Sequence, residues 1–146
     1  MALDELKGTD LGSQTVVIER APVPVFAAAV GEDPAGFRDE SAPVPPTYPF
    51  CWSYWGTVDG EVKGLPIGDL RKRGMILHGE QAFEYHRWPT IGETLEGHRT
   101  IEDVYEKDTS SARMEFYVMA TEWRDQSGAP VVTDRFTLIV RARKDA

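Results

Sequence analysis

The sequence predicts an α+β domain in which one long antiparallel sheet wraps around a central helix. In the second half of the 146-residue chain, apolar and polar residues alternate with a period of two, which is typical of strands with one covered face. A segment near residue 50 is bulky and apolar on nearly every side, which is typical of a buried helix. We treat residues 1–146 as a single domain, because neither a repeat nor a long linker interrupts them.

Two elements are predicted before that helix. A strand runs from Gln14 to Glu19, and a short helix follows from about Val23 to Val30. The apolar residues of this helix fall at i, i+3, i+4 and i+7 on one stripe, which consists of Val23, Phe26, Ala27 and Val30. Prolines at its start and Gly31 at its end fit the usual helix boundaries.

The central helix is predicted from about Thr47 to Val58. Thr47 is placed to cap it, and Pro49 suits its first turn. Its bulky residues are Tyr48, Phe50, Cys51, Trp52, Tyr54 and Trp55. About half of them are expected to do no more than pack the core.

Four strands are predicted after the central helix. Two run from about Met75 to Arg87 and from Thr94 to Tyr105, and two more alternate around Met114–Ala120 and Phe136–Val140. The short polar turns between them predict an antiparallel meander of successive strands. Such a sheet leaves an open edge, which dimerisation into a continuous sheet would cover.

The composition excludes several classes of partner. A net charge of −8 argues against nucleic acid, whose binding needs a basic surface. The single cysteine, Cys51, excludes an internal disulfide and favours a reducing compartment. The N-terminal residues do not resemble a signal peptide, and no apolar run is long enough to cross a bilayer. We therefore expect a cytoplasmic protein without membrane insertion.

Four local motifs occur in an order that resembles one known family. They are Phe26–Glu32, Ala42–Phe50, Leu77–Arg87, and Pro89–Leu95, which has the form Pro-x-x-Gly-(Asp/Glu)-x-Leu. In this order they are similar to the N-terminal type of MaoC-like dehydratase, the family of (R)-specific enoyl-CoA hydratases. The resemblance covers about Val17 to Arg141 and implies the hot-dog fold.

The resemblance implies reversible hydration of trans-2-enoyl thioesters to (R)-3-hydroxyacyl thioesters. The substrate would be carried on CoA or on acyl carrier protein, and no further cofactor is expected. Active members carry a D-x-N-P-x-H motif after the first helix, whose Asp and His activate water. Here Gly31–Phe37 stands in its place, with Gly36 where the histidine would be. The acid/base pair is therefore broken, and we assign no catalytic residue.

The resulting hypothesis is a subunit that holds the acyl chain for a catalytic MaoC-like partner, in a homodimer or heterotetramer. One alternative is a self-sufficient homodimer that uses Glu32, Asp33 or His78. For Glu32 and Asp33 the plainer interpretation is a polar helix end followed by a turn. The hot-dog fold would also suit a thioesterase, or a non-catalytic protein that binds acyl thioesters.

Two groups of residues are candidate binding residues. One face of the central helix would line an acyl slot, through Thr47, Tyr48, Phe50, Trp52, Tyr54 and Trp55. The only basic run, Arg71, Lys72 and Arg73, would contact cofactor phosphates or an acidic carrier protein. A solvated loop is the alternative interpretation of this run.

The histidines do not predict a metal site. His78 and His86 lie in one predicted strand, with Glu80 and Glu84 between them on the same face. At about 3.3 Å per residue the two histidines are roughly 26 Å apart and cannot share an ion. A polar sheet face is favoured over catalysis by His78, and Cys51 is expected to be buried and inert.

Overall fold

The computed structural model describes residues 3–52 and 67–143. These residues form five strands: β1 (Asp10–Val17), β2 (Met75–Tyr85), β3 (Thr94–Asp108), β4 (Ala112–Arg124) and β5 (Pro130–Arg143). The helices are α1 (Pro22–Ala29) and α2 (Ile67–Arg73), and 3-10 turns occur at Leu3–Leu6, Pro34–Phe37 and Tyr48–Cys51. No helix within these described ranges has the length and hydrophobicity needed to cross a membrane.

The strands form one antiparallel sheet in the order β1-β3-β4-β5-β2. The predicted meander is confirmed for β3, β4 and β5, but it is wrong for β2, which pairs with β5 rather than β3. The partner position beside β3 is taken by β1. Residues 86–93 therefore carry the chain across the width of two strands. Their reach of about 3.3–3.6 Å per residue is ample for three strand spacings of about 4.8 Å.

Hydrogen bonds hold the turn Pro89–Leu95, and with it the connection between β2 and β3, in place. Glu93 Oε2 accepts a hydrogen bond of 2.7 Å from the Thr90 backbone N–H. Arg87 donates to both Glu93 carboxylate oxygens, at 3.1 and 2.5 Å, and to Asp125 in the β4–β5 turn at 3.1 Å. Glu93, the acidic residue of the Pro-x-x-Gly-(Asp/Glu)-x-Leu motif, is thus structural. Through Arg87 it links residues 86–93 to the turn between β4 and β5.

One face of the sheet, here called the core face, carries two separate apolar clusters. The first cluster includes Val23, Tyr48, Trp52, Leu95, Trp123 and Val132. The second includes Leu11, Ile101, Tyr117, Met119, Leu138 and Val140. Burial of their side chains is the main force that holds α1, α2 and the 3-10 turns against the sheet.

The first half of the chain differs from the prediction in detail. Strand β1 begins four residues earlier than expected, whereas α1 lies within one residue of its predicted bounds. The predicted central helix begins as the 3-10 turn Tyr48–Cys51, and the Thr47 side chain makes no capping bond. The Phe50 N–H bonds the Thr47 carbonyl three residues back, at 3.2 Å. Only Trp52 is helical before residues 53–58 of that prediction, which lie outside the described residues.

Candidate functional site

The segment after α1 is an exposed turn. Asp33 caps the Pro34–Phe37 turn, because its Oδ1 accepts a hydrogen bond of 3.0 Å from the Ala35 N–H. Glu32, Asp33 and Gly36 are all exposed. Among residues 3–52 and 67–143, no histidine forms a hydrogen bond or ion pair with either carboxylate. At this position the described chain therefore lacks the paired acid and base that water activation needs.

Tyr48 and Trp52, two of the predicted binding residues, lie in the first apolar cluster. Both are fully buried. The Tyr48 ring meets Phe26 edge-on at 5.3 Å between centroids, and the Trp52 ring meets Trp123 at 5.1 Å. Burial raises the pKa of the Tyr48 hydroxyl, so this group stays protonated at neutral pH. These two side chains pack the core around α1 and the sheet.

Phe50 is not part of that cluster, and it forms a small aromatic patch with His78 and Phe136. The ring centroid of His78 lies 5.7 Å from that of Phe50 and 4.5 Å from that of Phe136. Phe50 and Phe136 are partly buried, and His78 is exposed. An aromatic surface that remains open to solvent is suited to hold an apolar ligand group.

The remaining residues of this segment differ in their exposure. Thr47 is exposed, while Tyr54 and Trp55 lie outside the described residues. Cys51 is partly buried, and burial raises the pKa of its thiol. A thiol with a raised pKa is a poor nucleophile, in agreement with the sequence-based view of Cys51.

A β-bulge in β2 changes which residues face the core. The register shifts between His78, which pairs with Leu138, and Glu80, which pairs with Thr137. His78 therefore lies on the core face, whereas Glu80 and Glu84 lie on the other face. The prediction that these three share one face is wrong, because one extra residue in a strand reverses the alternation. The strand also ends at Tyr85, before His86.

A polar row crosses the core face between the two apolar clusters, and sequence analysis missed it. Arg99, Thr121 and Asp134 are direct partners across β3, β4 and β5, so their side chains share a face. Arg99 Nε donates to Thr121 Oγ1 at 2.8 Å, and Gln81 of β2 donates to Asp134 Oδ1. Gln81 pairs with Phe136, so this row adjoins the aromatic patch.

Asp134 is a charged residue in an interior position. It is 4% exposed, and burial raises the pKa of its carboxyl group to about 6, although the Arg99 charge and the Gln81 bond favour the carboxylate. The sequence did contain a signal. Continuing the alternation of Val140, Leu138 and Phe136 two residues back places Asp134 on the same apolar face.

The basic run lies at the end of α2, where Arg73 pairs with the buried Glu115 of β4. Tyr117 donates to the second Glu115 oxygen at 2.7 Å. Arg73 therefore neutralises a carboxylate of the second cluster, while Arg71 and Lys72 are exposed. The contact of this run with phosphates or a carrier protein stays a prediction.

The remaining histidines bond to hydroxyl groups. His86 Nε2 lies 2.9 Å from Thr133 Oγ1, and His98 Nδ1 lies 2.9 Å from Ser13 Oγ. Within the described part of the chain, no group of three or more His, Cys, Asp and Glu side chains could hold a metal ion.

Comparison with known proteins agrees with this architecture. The chain matches the HadBC (3R-hydroxyacyl-ACP dehydratase) complex of Mycobacterium tuberculosis with a TM-score of 0.71 and 17% identity, over 94% of this chain and 99% of that one. It matches the ChsH1–ChsH2 complex of the same organism with a TM-score of 0.70 and 15% identity, over 92% and 85%. A MaoC-like dehydratase of Phytophthora capsici gives 0.69 and 23%, over 97% and 50%. At such identities the likeness establishes the fold.

Sequence comparison establishes the family. No curated protein sequence matches the chain significantly. The family described as FAS1-like, dehydratase domain region, matches residues 5–134, which is most of the chain. The chain therefore belongs to the FAS1-like dehydratase family, and it is a MaoC-like hydratase/dehydratase domain with the hot-dog fold.

Proposed function

We propose that this chain is the acyl-holding subunit of an enoyl-thioester hydratase or (R)-3-hydroxyacyl-thioester dehydratase. The observation that carries the proposal is the exposed turn after α1. The resemblance to active members puts Gly36 where the catalytic histidine would be, and the Asp33 carboxylate caps the turn. Activation of water and protonation of the α-carbon would then come from a second hot-dog subunit with an intact D-x-N-P-x-H motif.

The acyl group would lie against the aromatic patch of Phe50, His78 and Phe136. This patch is a partly open portion of the core face, whereas Tyr48 and Trp52 are buried within the first cluster. The thioester would be carried on CoA or acyl carrier protein, with Arg71 and Lys72 as the exposed basic side chains for its phosphates. The chain itself would need no further cofactor.

The partner would join through the edge of β2. In the described sheet β2 has a neighbour on one side only, and Met75 and Leu77 are 60% and 38% exposed there. An open edge with apolar side chains is a surface that pairing with another strand covers. HadBC and ChsH1–ChsH2 are complexes in their solved structures, which supports a hetero-oligomer here.

A self-sufficient homodimer is the second candidate, and His78 is the observation that favours it. This histidine is exposed on the core face, beside the surface proposed for the acyl group. It would have to act as both acid and base, since no described carboxylate bonds its ring.

Hydration of crotonyl-CoA and of longer enoyl-CoA separates the two candidates. The purified chain alone is expected to turn over at least about 100-fold more slowly than the chain with a motif-bearing hot-dog partner, because general acid–base catalysis contributes about 10² to 10⁴. A rate near 10 per second for the chain alone, a typical enzyme value, would contradict the subunit proposal. His78→Ala would then show whether His78 is the residue responsible, with Glu32→Gln and Asp33→Asn as matched comparisons.

A further inference from the structure

The outer face of the sheet, opposite the core face, carries an apolar row at one end. Leu77, Ile139, Phe116 and Tyr105 are direct cross-strand partners on β2, β5, β4 and β3. Each adjoins in sequence a residue that packs in the second apolar cluster, so strand alternation puts it on the outer face. Leu77 is 38% exposed and the other three are partly buried. The rings of Tyr105 and Phe116 stack at 4.6 Å between centroids.

Two further rows of the outer face flank the apolar row and carry opposite charges. The basic row consists of Lys107, Met114, Arg141 and Met75. The acidic row consists of Asp103, Val118, Thr137 and Glu80. Neighbouring rows are about 7 Å apart along the strands, and three strand spacings of about 4.8 Å give the width. The apolar row and the apolar members of its neighbours therefore cover about 14 Å in each direction.

The rest of the outer face is polar. Ser13, His98 and Glu122 are cross-strand partners on β1, β3 and β4, and all three are exposed. Arg135 pairs there with Glu84 at 3.3 Å. An antiparallel sheet with one solvated face normally carries polar residues over that whole face. The apolar end is therefore suited to be covered by another protein surface, with Met75 60% exposed within it.

We propose that a second copy of this chain covers this end of the outer face, with the two sheets packed face to face. The flanking charges favour a second copy, because they make the surface complementary to itself. In a two-fold dimer whose axis follows the apolar row, each strand lies over its own copy in reverse direction. The basic row of one chain then lies over the acidic row of the other.

This axis pairs the side chains well. Lys107 faces Asp103 of the second copy, and Met114 faces Val118. A two-fold axis along the strands would instead place Asp103 over Glu80, and such a contact between like charges disfavours that orientation. Lys7 already pairs with Asp103 at 3.2 Å, but this pair is exposed and leaves the carboxylate able to accept a second cation.

The proposed interface is independent of the acyl-holding role. It leaves the core face and the open edge of β2 accessible, because it uses the opposite face of the sheet. With a catalytic hot-dog partner at the edge of β2, the outer-face contact would join two such pairs into an assembly of two copies and two partners.

Sedimentation equilibrium of the purified full chain tests the proposal. Self-association is expected between about 1 and 100 µM, because the apolar area is smaller than the roughly 800 Å² per partner of a standard interface. Phe116→Asp should halve the mass of the assembly, since it puts a charge at the centre of the apolar row. Thr15→Asp, at an exposed position of the polar end of the same face, should leave the mass unchanged.

A charge exchange on β3 tests the orientation. Lys107→Glu and Asp103→Lys should each raise the dissociation constant at least about tenfold, because each creates two like-charge contacts in a two-fold dimer. The double variant should restore the dissociation constant of the unmodified chain. Arg38→Glu, an exposed charge reversal outside the sheet, is the control and should have no effect. Lys107 and Asp103 are accessible to solvent, so these variants keep the proposal testable if Phe116→Asp does not fold.

Three results would overturn the proposal. The first is a chain that stays monomeric over the whole concentration range. The second is an assembly whose mass does not respond to Phe116→Asp or to Lys107→Glu, which would place the contact on another surface such as the edge of β2. The third is a double variant that associates as weakly as the single variants, because the two charged rows would then not face each other. None of these results bears on the acyl-holding role, which the hydration assay decides.

Discussion

Among the described residues, the core face contains two buried carboxylates, Glu115 and Asp134, and their surroundings differ. Glu115, in the second apolar cluster, is bonded at both oxygens, one by Arg73 and the other by Tyr117. Asp134, between the two clusters, is bonded at one oxygen by a neutral amide. Both are nearly inaccessible, at 2% and 4% exposure. Burial alone therefore does not describe the environment of a carboxylate: among the described residues a guanidinium group bonds Glu115, and a neutral amide bonds Asp134.

The largest expected effect concerns the satisfied carboxylate. Arg73→Met should destabilise the fold by about 3 kcal/mol, because Glu115 would remain buried without its counter-charge. Arg71→Met, which changes an exposed residue two positions earlier, should stay within about 0.5 kcal/mol of the unmodified chain. Urea denaturation of both variants checks this. An equal loss in both would mean that Arg73 does not act as the counter-charge of Glu115.

A smaller effect is expected from Asp134 and depends on pH. Its folded pKa of about 6 lies above the value of 3.8 for an unperturbed carboxyl group, so the folded state retains a proton that the unfolded state has lost. Stability should therefore fall as pH rises from about 4 to 6, by roughly 2 to 3 kcal/mol in total. Asp134→Asn should remove this contribution, as measured by the free energy of unfolding across that range.

Asp33→Asn is the matched control, because Asp33 is exposed. The slope that this variant shows between about pH 4 and 6 is the reference against which the slope of Asp134→Asn is compared. Should Asp134→Asn leave the slope unaltered, the carboxyl group of Asp134 would be solvated in solution and its distinction from an exposed carboxylate would disappear.

The smallest effects are expected in the turn after α1. Asp33→Ala should cost about 1 kcal/mol through loss of the cap on Pro34–Phe37. Gly36→His should change stability by less than about 0.5 kcal/mol, since a Cβ at Gly36 would meet no atom within 4 Å. Thermal unfolding measures both. We expect Gly36→His alone to remain inactive in enoyl-CoA hydration, because the nearby Asp33 carboxylate is engaged as the cap of this turn. A marked gain in turnover would disprove this.

Several features could be predicted because they depend on residues close in sequence. Helix α1 follows from its apolar stripe, and the long strands follow from their alternation. The separation of β2 from β3 by two intervening strands could not be predicted in this way. Both strands have the same pattern, and β1 competes for the same edge of β3 from far away in the chain. The bulge at His78 was equally hidden, since an alternating pattern assumes a regular register.

The hot-dog class of fold and the family follow from the amino-acid sequence, because composition, periodicity and motif order are local properties. The place of Gly36 where the family's histidine would be remains a prediction from the resemblance. Which aromatic residues of the 47–52 segment are core and which are open became clear from the three-dimensional structure, where Trp52 packs against Trp123 and Phe50 against His78. The structure also shows that Asp134 is buried beside Gln81 and Arg99. Gln81 lies 53 positions before Asp134 in the chain, and Arg99 lies 35 positions before it. Burial and electrostatic environment arise from strands that are distant in sequence, so a pattern read along one strand cannot contain them.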